Sequence, residues 1–166
     1  MSVTPVSRLS LPLRNAENLL ADSSTFRSLM GADSAANAKA RIFWYETDDE
    51  HVSAESTYPR TIISYLPGNM AVVRSSTTGW NGGGPIEVRI ESGTSQSTIQ
   101  DGIKDWLNKI GAIMEEIAAL SHGGTGQYLD VTKVYVDQIG RMDNARNNGA
   151  TLYGVCFVIE WRGMLQ

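Results

Sequence analysis

Cysteine and histidine are almost missing from this sequence: one cysteine and two histidines stand among 166 residues. A single thiol excludes an intrachain disulfide, and folding is expected in a reducing cytoplasm. Cys156 lies in the apolar run Val155-Cys156-Phe157-Val158-Ile159, which predicts a buried, inert thiol rather than a nucleophile. His51 and His122 fall far apart in loop-like sequence, with no further ligand at metal spacing. His122 follows a predicted helix, where an imidazolium complements the dipole. No metal site and no cofactor are expected.

Long apolar runs are absent too, so no membrane-spanning helix is expected. Residues 1–13 have neither the basic start nor the apolar stretch of a secretory signal. Basic residues number 14 against 18 acidic ones, giving a net charge of −4 and a pI near 5.1. They form no cluster, which argues against affinity for nucleic acid through phosphate neutralisation. An acidic protein of this kind still lets DNA pass without binding it.

Catalytic patterns are equally scarce. There is no Gly-x-Ser-x-Gly elbow. Gly82-Gly83-Gly84 and Gly123-Gly124-Thr125-Gly126 lack the lysine of a phosphate loop. The second of these leaves a predicted helix, the wrong end for holding an anion. Asp48-Asp49-Glu50 has no calcium-loop spacing and reads as a solvated loop. Without a nucleophile–base pair, an enzyme is the weakest class of function and a structural assembly protein the best.

What remains is an ordinary globular chain, 42% apolar and 19% charged, long enough for one domain spanning residues 1–166. Residues 10–30 predict a helical segment that Asp22-Ser23-Ser24 breaks in two and Gly31 ends. Sheet and long helix are expected over residues 41–162. Strands are predicted at 41–46, 61–66, 70–75 and 86–91, the last two as a hairpin pair. In 86–91, Ile86, Val88 and Ile90 alternate with Glu87, Arg89 and Glu91, predicting one buried and one wet face. Residues 77–85 read as a glycine-rich loop carrying Trp80 and Asn81. Trp80 there either folds back on its own domain or anchors a partner.

Apolar residues then recur at steps of three and four from Ile99 to Leu120, the stripe of one long helix. Ser97 with Gln100 forms a candidate capping box at its start. Two strands, 128–142 and 150–162, close the chain across a turn at Asn147-Asn148-Gly149. The expected fold is α+β: a mainly antiparallel sheet, a long amphipathic helix packed on one face, and an N-terminal helix flanking it. Trp80, Asn81, Glu87 and Arg89 are the candidate interface residues.

This order resembles the tail-terminator and minor tail-completion proteins of long-tailed bacteriophages. The resemblance is carried by the opening helix from Leu19-Leu20-Ala21-Asp22 to Leu29-Met30-Gly31, and by Ala38-Lys39-Ala40-Arg41-Ile42-Phe43 leading into a first strand. Pro59-Arg60-Thr61-Ile62-Ile63, the long helix and the terminal Phe157-Val158-Ile159-Glu160-Trp161 complete it. It implies a virion protein at the head-proximal end of the tail, present in host cytoplasm before assembly. Such a protein forms a ring, usually a hexamer, between a tail-tube protein and a head-neck connector. It assigns no role to an individual residue. Another neck or head-completion connector, or a small-molecule or peptide-binding module, are the competing readings.

Overall fold

The computed structural model describes residues 10–45, 59–66, 71–74, 80–94, 99–123, 130–142 and 151–165. The opening helical segment breaks where its sequence does. α1 (Ser10–Asp22) stops at Ser23, whose hydroxyl accepts the Phe26 amide at 3.0 Å and caps α2 (Ser24–Leu29). Gly31 follows with φ of 63°, a left-handed residue closing the helix at no steric cost. A further short helix, α3 (Ala35–Lys39), was not expected. Its only sequence signal is Ser34, which accepts the Asn37 amide at 3.2 Å; five residues are too few to show an apolar period. The Lys39 ammonium donates to the Asn18 side-chain carbonyl at 2.5 Å, tying α3 to α1.

Next come β1 (Ile42–Trp44), β2 (Arg60–Tyr65), β3 (Ala71–Arg74), β4 (Trp80–Thr94), α4 (Ile99–Gly123), β5 (Asp130–Met142) and β6 (Thr151–Leu165). The six strands form one sheet in the order β1-β2-β4-β6-β5, with β3 pairing the start of β4. Every pair is antiparallel except β1 with β2. The fold is therefore α+β with a mainly antiparallel sheet and one long helix. β4 and β6 run in unbroken register from Trp80↔Leu165 to Thr94↔Thr151. His122 lies within the last turn of α4 rather than after it. The other loop residues noted above, including His51, Asp48-Asp49-Glu50, Ser97, Gly124-Thr125-Gly126 and the 147–149 turn, lie outside the described residues.

Strand alternation delivers one apolar face. Ile86, Val88 and Ile90 stand opposite Ile159, Phe157 and Val155, and all six are at most 1% exposed. Ile63 of β2 and Val131 of β5 extend the layer. Trp106, Ile110, Ile113 and Ile117 of α4 and Leu13, Ala16, Leu19 and Leu20 of α1 join it in a single cluster. Each of the leucine, isoleucine and valine side chains contributes about 1.5–3 kcal/mol by burial. The contacts of α1 with β2, β6 and α4 set it on the sheet face that α4 shares, flanking the long helix.

Two sequence readings are corrected. Residues 80–85 belong to β4 and are not a loop, so that strand is far longer than 86–91. Glycines predict against a strand, yet hydrogen-bonded neighbours on both sides override that propensity. The close approach of β6 also favours Gly83, because a Cβ would sit 3.0 Å from the Trp161 carbonyl oxygen. In consequence β3 pairs with residues 80–83, and β2, not β3, lies against 86–91.

The helices are stitched together by a carboxylate. Glu116 of α4 accepts from the Ser24 hydroxyl at 3.3 Å, from the Thr25 amide at 3.3 Å, and from the Thr25 hydroxyl. Burial alone would raise this carboxyl. The hydroxyls of Thr25, Ser23 and Ser24 and the Thr25 amide outweigh it and hold the group below its ordinary 4.5. As pH falls, the unfolded chain therefore takes up this proton before the folded one, so the contribution is complete above about 4.5 and fades below it. Glu116→Gln should cost about 1 kcal/mol or less at neutral pH, given its exposure. It should also flatten the acid limb of a stability–pH curve measured by urea unfolding; an unchanged limb would exclude this stitch.

Candidate interface on the sheet face opposite the helices

The other face of the sheet carries the charge. Arg60 on β2 stands directly opposite Glu91 on β4, and Arg89 precedes Glu91 by two residues on the same face. The Arg60 Nε lies 2.5 Å from Glu91 Oε2, and the Arg89 Nε 3.2 Å from Oε1. The second contact has ion-pair distance without the alignment of a hydrogen bond. The Glu91 side chain is fully buried, whereas those of Arg60 and Arg89 are 13% and 23% exposed. The wet face expected of Glu87, Arg89 and Glu91 is thus only partly wet. Glu87 and Arg89 are half-buried, and Glu91 is sealed between two guanidiniums.

Around this triad the face is mixed. Ile62 and Val158 are buried beside it, at 7% and 1% exposure. Cys156 stands between Arg89 and Gln138 in register. It is half-buried rather than buried, and burial together with the Glu87 carboxylate pushes its thiol up to about 11. Little thiolate exists at neutral pH, so it is a poor nucleophile. Glu160, Lys133 and Tyr135 continue the face towards β5, with the Lys133 ammonium 4.5 Å from the Tyr135 ring centroid.

The four candidate interface residues do not make one patch. Glu87 and Arg89 are neighbours on the charged face. Trp80 and Asn81 begin β4, about 23 Å away at ~3.3 Å per residue. They are not at a loop tip: Trp80 pairs with Arg74 and Leu165, and Asn81 with Val73 and Met164. Sequence reasoning missed Arg60 and Glu91 as a pair, because cross-strand register between β2 and β4 is needed to see it. It also missed the β5 edge, where Val136 is 42% exposed.

Among the described residues no cluster of three or more His, Cys, Asp or Glu is placed to hold a metal ion. No described helix is long and apolar enough to cross a membrane. No protein-family model matches the chain, and no curated protein matches it.

Proposed function

We propose that this chain is a structural ring subunit of a long-tailed bacteriophage. It caps the tail tube, ends tube growth and offers the surface on which the head joins. The observation that carries this reading is the order of elements: a broken N-terminal helix, a run of strands, one long amphipathic helix, and a terminal hairpin. The charged sheet face supports it. Both signs are present there in Glu87, Arg89, Glu160 and Lys133. Such a pattern fixes the register of a protein neighbour better than it binds a small molecule. A ring, with six copies as its expected number, closes by head-to-tail contacts and so gives a discrete assembly. Its other partners are the tail-tube protein and a head-neck connector, and it performs no catalysis. With a net charge of −4 it lets DNA through rather than holding it.

Electron microscopy of virions tests this. The protein should form one ring at the head-proximal tail end, and deletion of its gene should leave filled heads without joined tails. A distribution along the tube, a place inside the capsid, absence from virions, or infectious particles without the gene would each reject the assignment.

A further inference from the structure

We infer that a second copy of this chain docks on β5, edge to edge and antiparallel, about a two-fold axis at Tyr135. This contact goes beyond the ring and does not depend on it, since a two-fold contact and a head-to-tail contact are different interfaces.

β5 is a sheet edge: among the described residues it pairs only with β6. An edge strand of 13 residues is a template for another strand unless it is blunted. Two bulges lie on β5, between Val131 and Lys133 and between Val136 and Gln138. They leave residues 133–136 regular, in step with Glu160 to Phe157 of β6. From Lys133 to Asp137, the residue in the second bulge, the side chains are self-complementary. An antiparallel copy centred on Tyr135 sets Lys133 opposite the partner's Asp137, and Asp137 opposite the partner's Lys133. Val134 then meets the partner's Val136 on the apolar side, which covers the exposed Val136.

Opposite charges facing each other and paired β-branched residues are the contacts that stabilise antiparallel neighbours. Lys133 and Asp137 are both exposed, and both lie near Tyr135. The Lys133 ammonium sits over its ring, and burial, then the Glu160 and Asp137 carboxylates, raise its phenol. The two charges therefore share the side of the strand on which they would meet. Shifting the pairing by two residues either way loses the Lys–Asp match, so one register is selected.

The test uses the full chain with Cys156→Ser as background, because Cys156 is the lone cysteine. At the axis the two copies of residue 135 have Cα atoms about 4.5–5.5 Å apart, inside the roughly 4.4–6.8 Å that a disulfide spans. Tyr135→Cys should therefore give a disulfide-linked dimer under mild oxidation. Light scattering should show a concentration-dependent dimer of the unmodified chain. Lys133→Asp, and separately Asp137→Lys, should weaken it at least about tenfold by setting like charges opposite each other. The double variant Lys133→Asp/Asp137→Lys should restore it. Circular dichroism of each variant separates loss of pairing from loss of fold, and the recovery in the double variant cannot come from misfolding. A chain that stays monomeric at its highest soluble concentration overturns the proposal. So does a dimer indifferent to Lys133→Asp, or one that Tyr135→Cys fails to link.

Discussion

Replacing Ile110 with aspartate should lower stability by at least about 4 kcal/mol and leave little folded protein at 37 °C. Ile110 is 2% exposed and lies in the single apolar cluster that joins α4 to the sheet and to α1. A carboxylate there would stand on a stripe whose adjacent members, Trp106, Ile113 and Ile117, are all buried in the apolar cluster. It must either ionise in a low-dielectric site or take a proton at a cost set by its shifted pKa. Thermal unfolding followed by circular dichroism should show a midpoint at least roughly 10 °C below the parent. Ile110→Val, which keeps the apolar character, should cost only about 1 kcal/mol. Similar melting of the aspartate variant and the parent would mean that α4 does not pack as described.

Glu91→Gln should cost about 3 kcal/mol, the second largest effect expected of a single change. Removing the charge takes away the carboxylate that the Arg60 and Arg89 guanidiniums share. The figure stands at the low end for a broken buried ion pair, because both guanidiniums retain some contact with water. Changing all three residues together, Arg60→Met, Glu91→Met and Arg89→Met, should recover most of that loss, since the neighbours Ile62 and Val158 are apolar and buried. Denaturant midpoints at constant slope measure both effects. A triple variant weaker than Glu91→Gln would show that the ions contribute net stability and not only mutual compensation.

Much of this fold is legible from local chemistry. Ser23 and Gly31 mark helix ends because a hydroxyl cap and a left-handed residue act within a few residues of where they stand. The stripe of α4 is legible because its period repeats over many turns. β5 is more instructive. Its apolar residues Val131, Val134, Val136 and Ile139 do not follow a strict alternation, yet they stand opposite Trp161, Ile159, Phe157 and Val155. The two bulges reconcile the steps of three with a single face. The places where sequence reasoning fails are those fixed by partners distant in the chain. Residues 80–85 look like a loop until β3 and β6 are set on either side, and Glu91 looks solvated until Arg60 is brought across from β2. The candidate site was legible only in Glu87 and Arg89, whose alternation is local. Trp80 and Asn81 read as loop residues in the sequence, and both lie in β4.

The sheet order also governs the sequence of events as the chain is made. β4, the strand with the most neighbours, emerges from the ribosome well before β6, which fills the place between it and β5. Until residues 151–165 appear, one whole side of a 15-residue strand has nothing to pair with. The protein therefore cannot assemble its sheet in step with synthesis; it closes the middle last, when the final strand slots between two that are waiting. Long-range closure of that kind is slow and exposes strand edges to other chains meanwhile. The most vulnerable moment of this molecule is the interval before residues 151–165 are there to pair with β4.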